Sequence, residues 1–167
     1  FDMAGTLNIR RILDAKGTRD VFMLSQDVPL STVVREACAR KMGAVLLSGP
    51  DGTLAGIITE RDILHLCNRR VDFDHTLASS VMQKNLIVAR PDDDINCVMD
   101  LMVNRSIRHL PVVSDQGLEG IITVRDLMFA IRKSDREAVD EFVKYLQTAM
   151  PVREGDPKVN QEDVSRG

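Results

Sequence analysis

A nine-residue string occurs twice in this chain. Gly56-Ile57-Ile58-Thr59-Glu60-Arg61-Asp62-Ile63-Leu64 returns 64 residues on as Gly120-Ile121-Ile122-Thr123-Val124-Arg125-Asp126-Leu127-Met128, with six of the nine positions identical. The correspondence runs upstream at an offset of 65. Leu30-Ser31-Thr32-Val33-Val34 answers Ile95-Asn96-Cys97-Val98-Met99, and Gly43-Ala44-Val45-Leu46-Leu47 answers Arg108-His109-Leu110-Pro111-Val112. The first copy carries its extra residue in the Gly49-Pro50-Asp51-Gly52 turn. A duplication of this kind restricts the fold strongly, because one short supersecondary unit cannot bury its apolar face alone and must find cover in the other copy.

Each copy predicts the same elements. A short extended segment (Val21–Leu24; Leu86–Ala89) precedes an amphipathic helix with its stripe at Leu30, Val33, Val34, Ala37 and Cys38, or at Ile95, Val98, Met99 and Met102. A strand follows (Ala44–Ser48; Leu110–Ser114), then a Gly-containing turn, then a second strand (Leu54–Thr59; Leu118–Thr123). A helix closes each unit, from about Glu60 to Asn68 and from about Val124 to Lys133. The expected fold is α/β, of the α+β kind: two β-α-β-β-α repeats packed sheet to sheet with pseudo-two-fold symmetry. The first unit is expected over residues 9–70, a polar linker over 71–79, the second unit over 80–133, a C-terminal helix over 134–150 and a flexible tail over 151–167.

Composition removes several function classes. Aromatics make up 4% of the chain, with no Trp and one Tyr, so base-stacking platforms for single-stranded nucleic acid can scarcely be built. A formal net charge of -3 lacks the basic footprint of a duplex binder, and no nucleic-acid partner is expected. No apolar run approaches a membrane span and no signal-peptide pattern opens the chain, so no membrane partner is expected either. Three cysteines without a C-x-x-C pair argue against a disulfide framework. Cys38 and Cys97 are expected to be small buried hydrophobes, and the reduced cytoplasm is the expected location.

The repeated Thr-x-Arg-Asp ends a strand and opens a helix, and two chemistries meet there. A Thr three residues before an acid approaches a capping box, the hydroxyl satisfying a helix N–H and the acid favouring the positive end of the dipole. A cap does not call for the Arg that stands before the Asp in both copies. A helix N-terminus with an Arg suits an anion, and a carboxylate there can accept hydrogen bonds from vicinal hydroxyls such as a ribose diol. The two roles can coexist. Catalysis finds no support: His65 and His75 stand outside any motif, and His109 has no nucleophile to serve as base. No zinc-ligand spacing, nucleophile elbow or phosphate-binding loop motif occurs, so neither metal nor enzyme activity is expected.

The repeated Gly-hydrophobic-x-Thr-x-x-Asp, together with Arg108-His109-Leu110-Pro111-Val112-Val113, resembles the signature of a tandem cystathionine β-synthase (CBS) domain pair, the Bateman module. The resemblance covers roughly residues 9 to 133, and it implies a stand-alone CBS-pair protein with nothing else appended. It further implies two clefts for adenosine-containing ligands. Carried over by position, Asp62 and Asp126 would hold ribose hydroxyls, and Thr59 and Thr123 would contact ribose or phosphate. Val21, Phe22, Leu86 and Ile87 would flank adenine. Ala44 and Val45, and His109, Leu110 and Pro111 in the other copy, would lie on the strand meeting base or phosphates. Arg61, Arg108 and Arg125 would supply cationic charge. The first copy has Gly43-Ala44 where the second has Arg108-His109, so unequal affinities are expected.

The expectation is therefore a sensor module for an adenosyl ligand, with AMP, ADP or ATP leading, NAD(H) close behind and S-adenosylmethionine disfavoured by the arginines. The family's habit implies a homodimer of pairs through closing-helix residues such as Ile63, Leu64, Leu66, Leu127, Met128 and Ile131, and leaves room for an unknown protein partner. The other reading is a scaffold with vestigial clefts that acts through dimerisation or partner binding.

Overall fold

Two bulged hairpins carry the fold, one from each copy of the repeat. The computed structural model describes residues 7–17, 21–132 and 143; the expected helix over 134–150, apart from residue 143, and the tail over 151–167 lie outside the described residues. In chain order the elements are α1 (Ile9–Lys16), β1 (Met23–Ser25), α2 (Leu30–Arg40), β2 (Ala44–Ser48), β3 (Leu54–Thr59), α3 (Glu60–Asn68), α4 (Ile95–Asn104), β4 (His109–Ser114), β5 (Gly117–Thr123) and α5 (Val124–Arg132). Mixed helices and small sheets make this an α+β fold. The chain divides into two compact units, the first running through Leu127 and the second from Met128. In the second, Ile131 is buried and Phe129 exposed.

β2 and β3 pair antiparallel with a bulge at Leu47/Ser48, and β4 and β5 do the same with a bulge at the corresponding Val112/Val113. β1 adds to the first hairpin in parallel, matching Met23–Ser25 with Leu46–Ser48. The second copy makes only a single parallel bridge, Ala89 to Val112, where a strand over Leu86–Ala89 is expected. Pro111 explains the difference. Ala89 N–H donates to the Pro111 carbonyl at 2.9 Å, and Val113 N–H returns to Ala89 at 2.9 Å. The next ladder bond would need an N–H at Pro111 for the carbonyl of Ile87, and proline has none. Pro111 thus releases the main chain at Leu86 and Ile87 from the sheet.

Two of the first unit's hydrophobic clusters, among the described residues, bear on the site. Leu30 and Val33 from α2, Val45 and Leu47 from β2, Ile58 from β3 and Leu66 from α3 form one, with Ala78 and Met82. Ala44, Leu46 and Ile57 form the other, and Leu118 and Ile121 of β5 pack against them, so the two sheets face each other there. Leu66 and Leu127 are core residues, and of the large aliphatic residues on α3 Leu64 is the exposed one, at 69%. The segment expected as a linker is tied down: Phe73 and Thr76 carbonyls accept from Ser31 and Leu30 N–H groups, and Ala78 is buried. Val71 and Phe73 pack on the first cluster, which is why a stretch that reads as polar still orders.

Cys38 and Cys97 correct the sequence expectation: both are exposed, as is Cys67. Stepping by 100° per residue puts Cys97 roughly opposite the Ile95–Val98–Met102 stripe, and Cys38 just beyond the edge of the Leu30–Val33–Ala37 stripe. Among the described residues no helix is long and apolar enough to cross a membrane.

Helix α1 has no counterpart in the repeat and is not anticipated from it. Asn8 caps its start by accepting from Arg11 N–H, and Gly17 ends it in the left-handed region at φ 69°. Ile9 and Ile12 are buried, and each such side chain contributes about 1.5–3 kcal/mol of docking. Leu13 lies where a Cβ on Gly120 would stand, as Met82 does over Gly56. Both copies of the repeated string begin with glycine because a neighbouring side chain crosses the strand there.

Candidate functional site

At each strand-to-helix junction the chain builds the same cap. Thr59 is extended and Asp62 sits at the third helical position; its Oδ2 accepts from Thr59 N–H at 2.8 Å and from Thr59 Oγ1 at 2.6 Å, and Asp62 N–H donates to Thr59 Oγ1. Asp126 repeats this, with 2.7 Å and 2.9 Å from Thr123 N–H and Oγ1. The first helical N–H is also committed, Glu60 to the Gly43 carbonyl and Val124 to the Arg108 carbonyl. Much of the donor capacity that a bare helix N-terminus offers an anion is therefore spent inside the protein. What this junction has left to offer an anion is its guanidinium groups.

The junction of α3 opens onto a cleft of about 220 Å³. Ile57, Leu86, Ile87, Ile107 and Pro111 give it an apolar lining. Thr59, Glu60, Arg61 and Asp62 form one wall; Arg105, Ser106, Arg108 and His109 form the other, with Gly43, Gln83 and Asn85 at the margins. Three arginines thus stand against two carboxylates. Long contacts link the walls: Arg61 Nη1 donates to the Ser106 carbonyl at 3.5 Å, and Arg108 Nη1 lies 3.9 Å from Glu60 Oε1. Asp62 Oδ1 accepts from Gln83 Nε2 at 2.8 Å.

His109 enters this cleft because the residue opposite is Gly43, where a Cβ would stand 3.0 Å from its Cε1. Burial holds its pKa below the ordinary 6.5; Glu60 pulls it up and Arg108 pushes it down. The ring is therefore neutral near pH 7 and can offer one donor and one acceptor.

Of the residues singled out from sequence, Thr59, Arg61, Asp62, Leu86, Ile87, Arg108, His109 and Pro111 line one cleft. Its walls come from different copies: the Thr-x-Arg-Asp of the first meets the leading segment and Arg-His of the second. Ala44, Val45 and Leu110 are buried in the core and present no side chain to a ligand. Phe22 packs on the first cluster, and the Arg40 guanidinium covers its ring at 3.9 Å. Val21 packs against the cluster between the sheets. Thr123, Arg125 and Asp126 belong to the other junction, where Lys16 Nζ donates to Asp126 Oδ2 at 2.8 Å and to the Ile121 carbonyl at 2.9 Å. Sequence reasoning missed Arg105, Gln83 and Glu60. The repeat could have flagged Arg105, which aligns with Arg40 one turn before the Arg-His string; nothing in the pattern marks Gln83. Among the described residues no group of three or more His, Cys, Asp or Glu converges as a metal site.

The family model of the CBS domain matches residues 5–69 and 78–133. The chain belongs to the CBS domain family. It is 30% identical over 115 residues to an uncharacterised 17.7 kDa protein of Acidianus ambivalens, a match covering 68% of this chain. It spans 69%, 58% and 57% of the length of three curated relatives that it matches. Among solved structures it superposes on the CBS-domain containing protein ATU1752 of Agrobacterium tumefaciens with a TM-score of 0.71 and 28% identity, over 78% of this chain and 98% of that one. A Pyrobaculum aerophilum CBS domain protein, PAE2072, complexed with AMP, matches with a TM-score of 0.67 at 23% identity, over 83% and 99% of the two chains. The tandem CBS pair places its open cleft where the two repeats meet, and its second Thr-x-Arg-Asp beneath α1.

Proposed function

We propose that the chain is a regulatory module that binds an adenosine nucleotide, AMP in the first place, in the cleft between Thr59–Asp62 and Arg105–His109. One observation carries this reading: a carboxylate and three guanidinium groups converge around an apolar floor. Asp62 Oδ2 is filled by its cap, while Oδ1 holds one amide donor and retains acceptor capacity for a ribose hydroxyl. Arg61, Arg105 and Arg108 suit a phosphate, and neutral His109 adds a donor. Ile57, Leu86 and Ile87 receive the base, and the main chain that Pro111 frees from the sheet reads its polar edge. The AMP complex of the Pyrobaculum relative supports this choice of ligand.

Size and charge order the alternatives. At about 220 Å³ the cleft is smaller than the roughly 300–1,000 Å³ typical of drug-sized ligands, which favours a mononucleotide over NAD(H). Three arginines disfavour the cationic sulfonium of S-adenosylmethionine. A ligand seated between walls from different repeats would hold them together, and that is the regulatory output. Self-association as a homodimer would use the exposed Leu64 face of α3. Thermal-shift measurements with AMP, ADP, ATP, adenosine, NAD(H), S-adenosylmethionine and inorganic phosphate test the proposal. AMP should raise Tm more than adenosine or phosphate alone; no response to any of them, or a larger response to S-adenosylmethionine, overturns it and favours the scaffold reading.

A further inference from the structure

The two junctions are alike in backbone and unlike in what satisfies them. In the first, Gln83 pairs through its main chain with Ile57, giving at 2.9 Å and receiving at 3.1 Å, and its amide reaches Asp62 at 2.8 Å. In the second, the corresponding carbonyl is Ile121 and the corresponding carboxylate is Asp126. One ammonium, Lys16 Nζ at the end of α1, serves both. Asp126 Oδ2 thus accepts three donors: Thr123 N–H, Thr123 Oγ1 and Lys16. The Lys16 side chain is 31% exposed and that of Asp126 19%, so solvent reaches the pair from one side.

The base side shows the same inversion by an independent contact. Arg105 lines the first cleft; its counterpart Arg40 instead lies over the ring of Phe22, the counterpart of Ile87, at 3.9 Å and pairs with Glu36 at 3.3 Å. The cation that would meet a phosphate and the ring that would meet a base satisfy each other. At the strand position of Arg108 the first copy has Gly43, which supplies no charge.

We infer that the chain's own Lys16 and Arg40 occupy the second cleft, so that one nucleotide binds per chain and the second site opens only when the Lys16 ammonium leaves Asp126. Displacing Gln83 from Asp62 trades one neutral donor for another. Displacing Lys16 breaks an ion pair and a hydrogen bond to the Ile121 carbonyl together, which costs more than exchanging one amide. The inference rests on the nucleotide reading of the cleft residues, and the following experiment separates the two.

Isothermal titration with AMP is run on the wild-type chain, on Lys16→Met, on Lys16→Arg and on Lys16→Met with Asp126→Ala. Ile9 and Ile12 dock α1 independently of Lys16, and circular dichroism checks that each variant is folded. The wild type and Lys16→Arg should bind one equivalent. Lys16→Met should bind a second, at least roughly tenfold tighter than any second phase of the wild type, and Asp126→Ala should remove it. A folded Lys16→Met that binds no more than the wild type, or a wild type that already binds two equivalents, overturns the inference. If the wild type binds nothing and Lys16→Met binds one equivalent that needs Asp126, the reading of the first cleft fails while the occupation of the second by Lys16 stands. Reductive methylation of the unmutated protein is the second test: Lys16 should react several times more slowly than exposed Lys84, and equal rates also overturn the inference.

Discussion

Replacing Asp62 with Ala separates the structural role of the repeated motif from its binding role. The cap contribution comes first: losing the carboxylate that accepts from Thr59 N–H and Oγ1 costs about 1 kcal/mol. For a chain of this length that lowers Tm by about 3 °C. The binding contribution follows from linkage. AMP at 100 times its Kd stabilises the wild type by about 2.7 kcal/mol, or about 8 °C. Removing one charge-assisted hydrogen bond to a ribose hydroxyl, at about 2 kcal/mol, weakens Kd roughly thirtyfold. The same AMP concentration then stabilises the variant by only about 0.9 kcal/mol, or about 3 °C. Asp94→Ala is the control, because Asp94 caps α4 by accepting from Asn96 and Cys97 N–H groups away from the cleft. It should lose a similar amount of unliganded stability and keep the full AMP shift. Differential scanning fluorimetry reads both numbers. An Asp62→Ala protein that keeps the whole wild-type response of about 8 °C would refute the assignment of Asp62 to the ribose.

Gly56→Ala should destabilise the protein by about 1–3 kcal/mol, since the new Cβ collides with the Met82 side chain and approaches the Gln83 carbonyl at 3.1 Å. That outweighs the roughly 0.4–1 kcal/mol gained by stiffening the unfolded chain, and a urea midpoint at or above the wild-type value contradicts the packing account. His109 gives a pH dependence of known sign. Its folded pKa lies below 6.5, so the unfolded chain takes up a proton first, and the stability it contributes is complete above pH 6.5 and lost as pH falls from there through the folded value. A phosphate beside the ring raises that pKa, so AMP binding near pH 6.5 should take up protons, and His109→Ala should abolish the uptake. Titrations in buffers of different ionisation enthalpy measure it; uptake unchanged in His109→Ala would place the phosphate elsewhere.

The hairpins and closing helices were legible because each rests on local pattern: alternation up to Thr59 or Thr123, then a cap residue three before an acid. What escaped was decided by contacts distant in sequence. Pro111 could be read, but its effect on Ile87 depends on which strand lies alongside. Helix α1 lies outside the duplication, although Asn8, the Ile9–Ile12–Leu13 spacing and Gly17 mark it locally. Cys38 and Cys97 are exposed because apolar neighbours in sequence are not neighbours on a helix face. At the site, residue types pointed to ribose and phosphate chemistry, while the pairing of copies did not show. Arg108 and His109 face the first copy's Glu60, and Asp126 faces Lys16, a partner 110 residues away.

Amide chemical-shift mapping with AMP tests the central claim most directly, because the two clefts use different stretches of chain. The account predicts saturable shifts confined to Gly43, Ile57, Thr59–Asp62, Gln83–Ile87 and Arg105–His109, with Val21 and Phe22 unmoved. Shifts centred on Thr123–Asp126 and Phe22, with Asp62 and Arg105 unmoved, would contradict it.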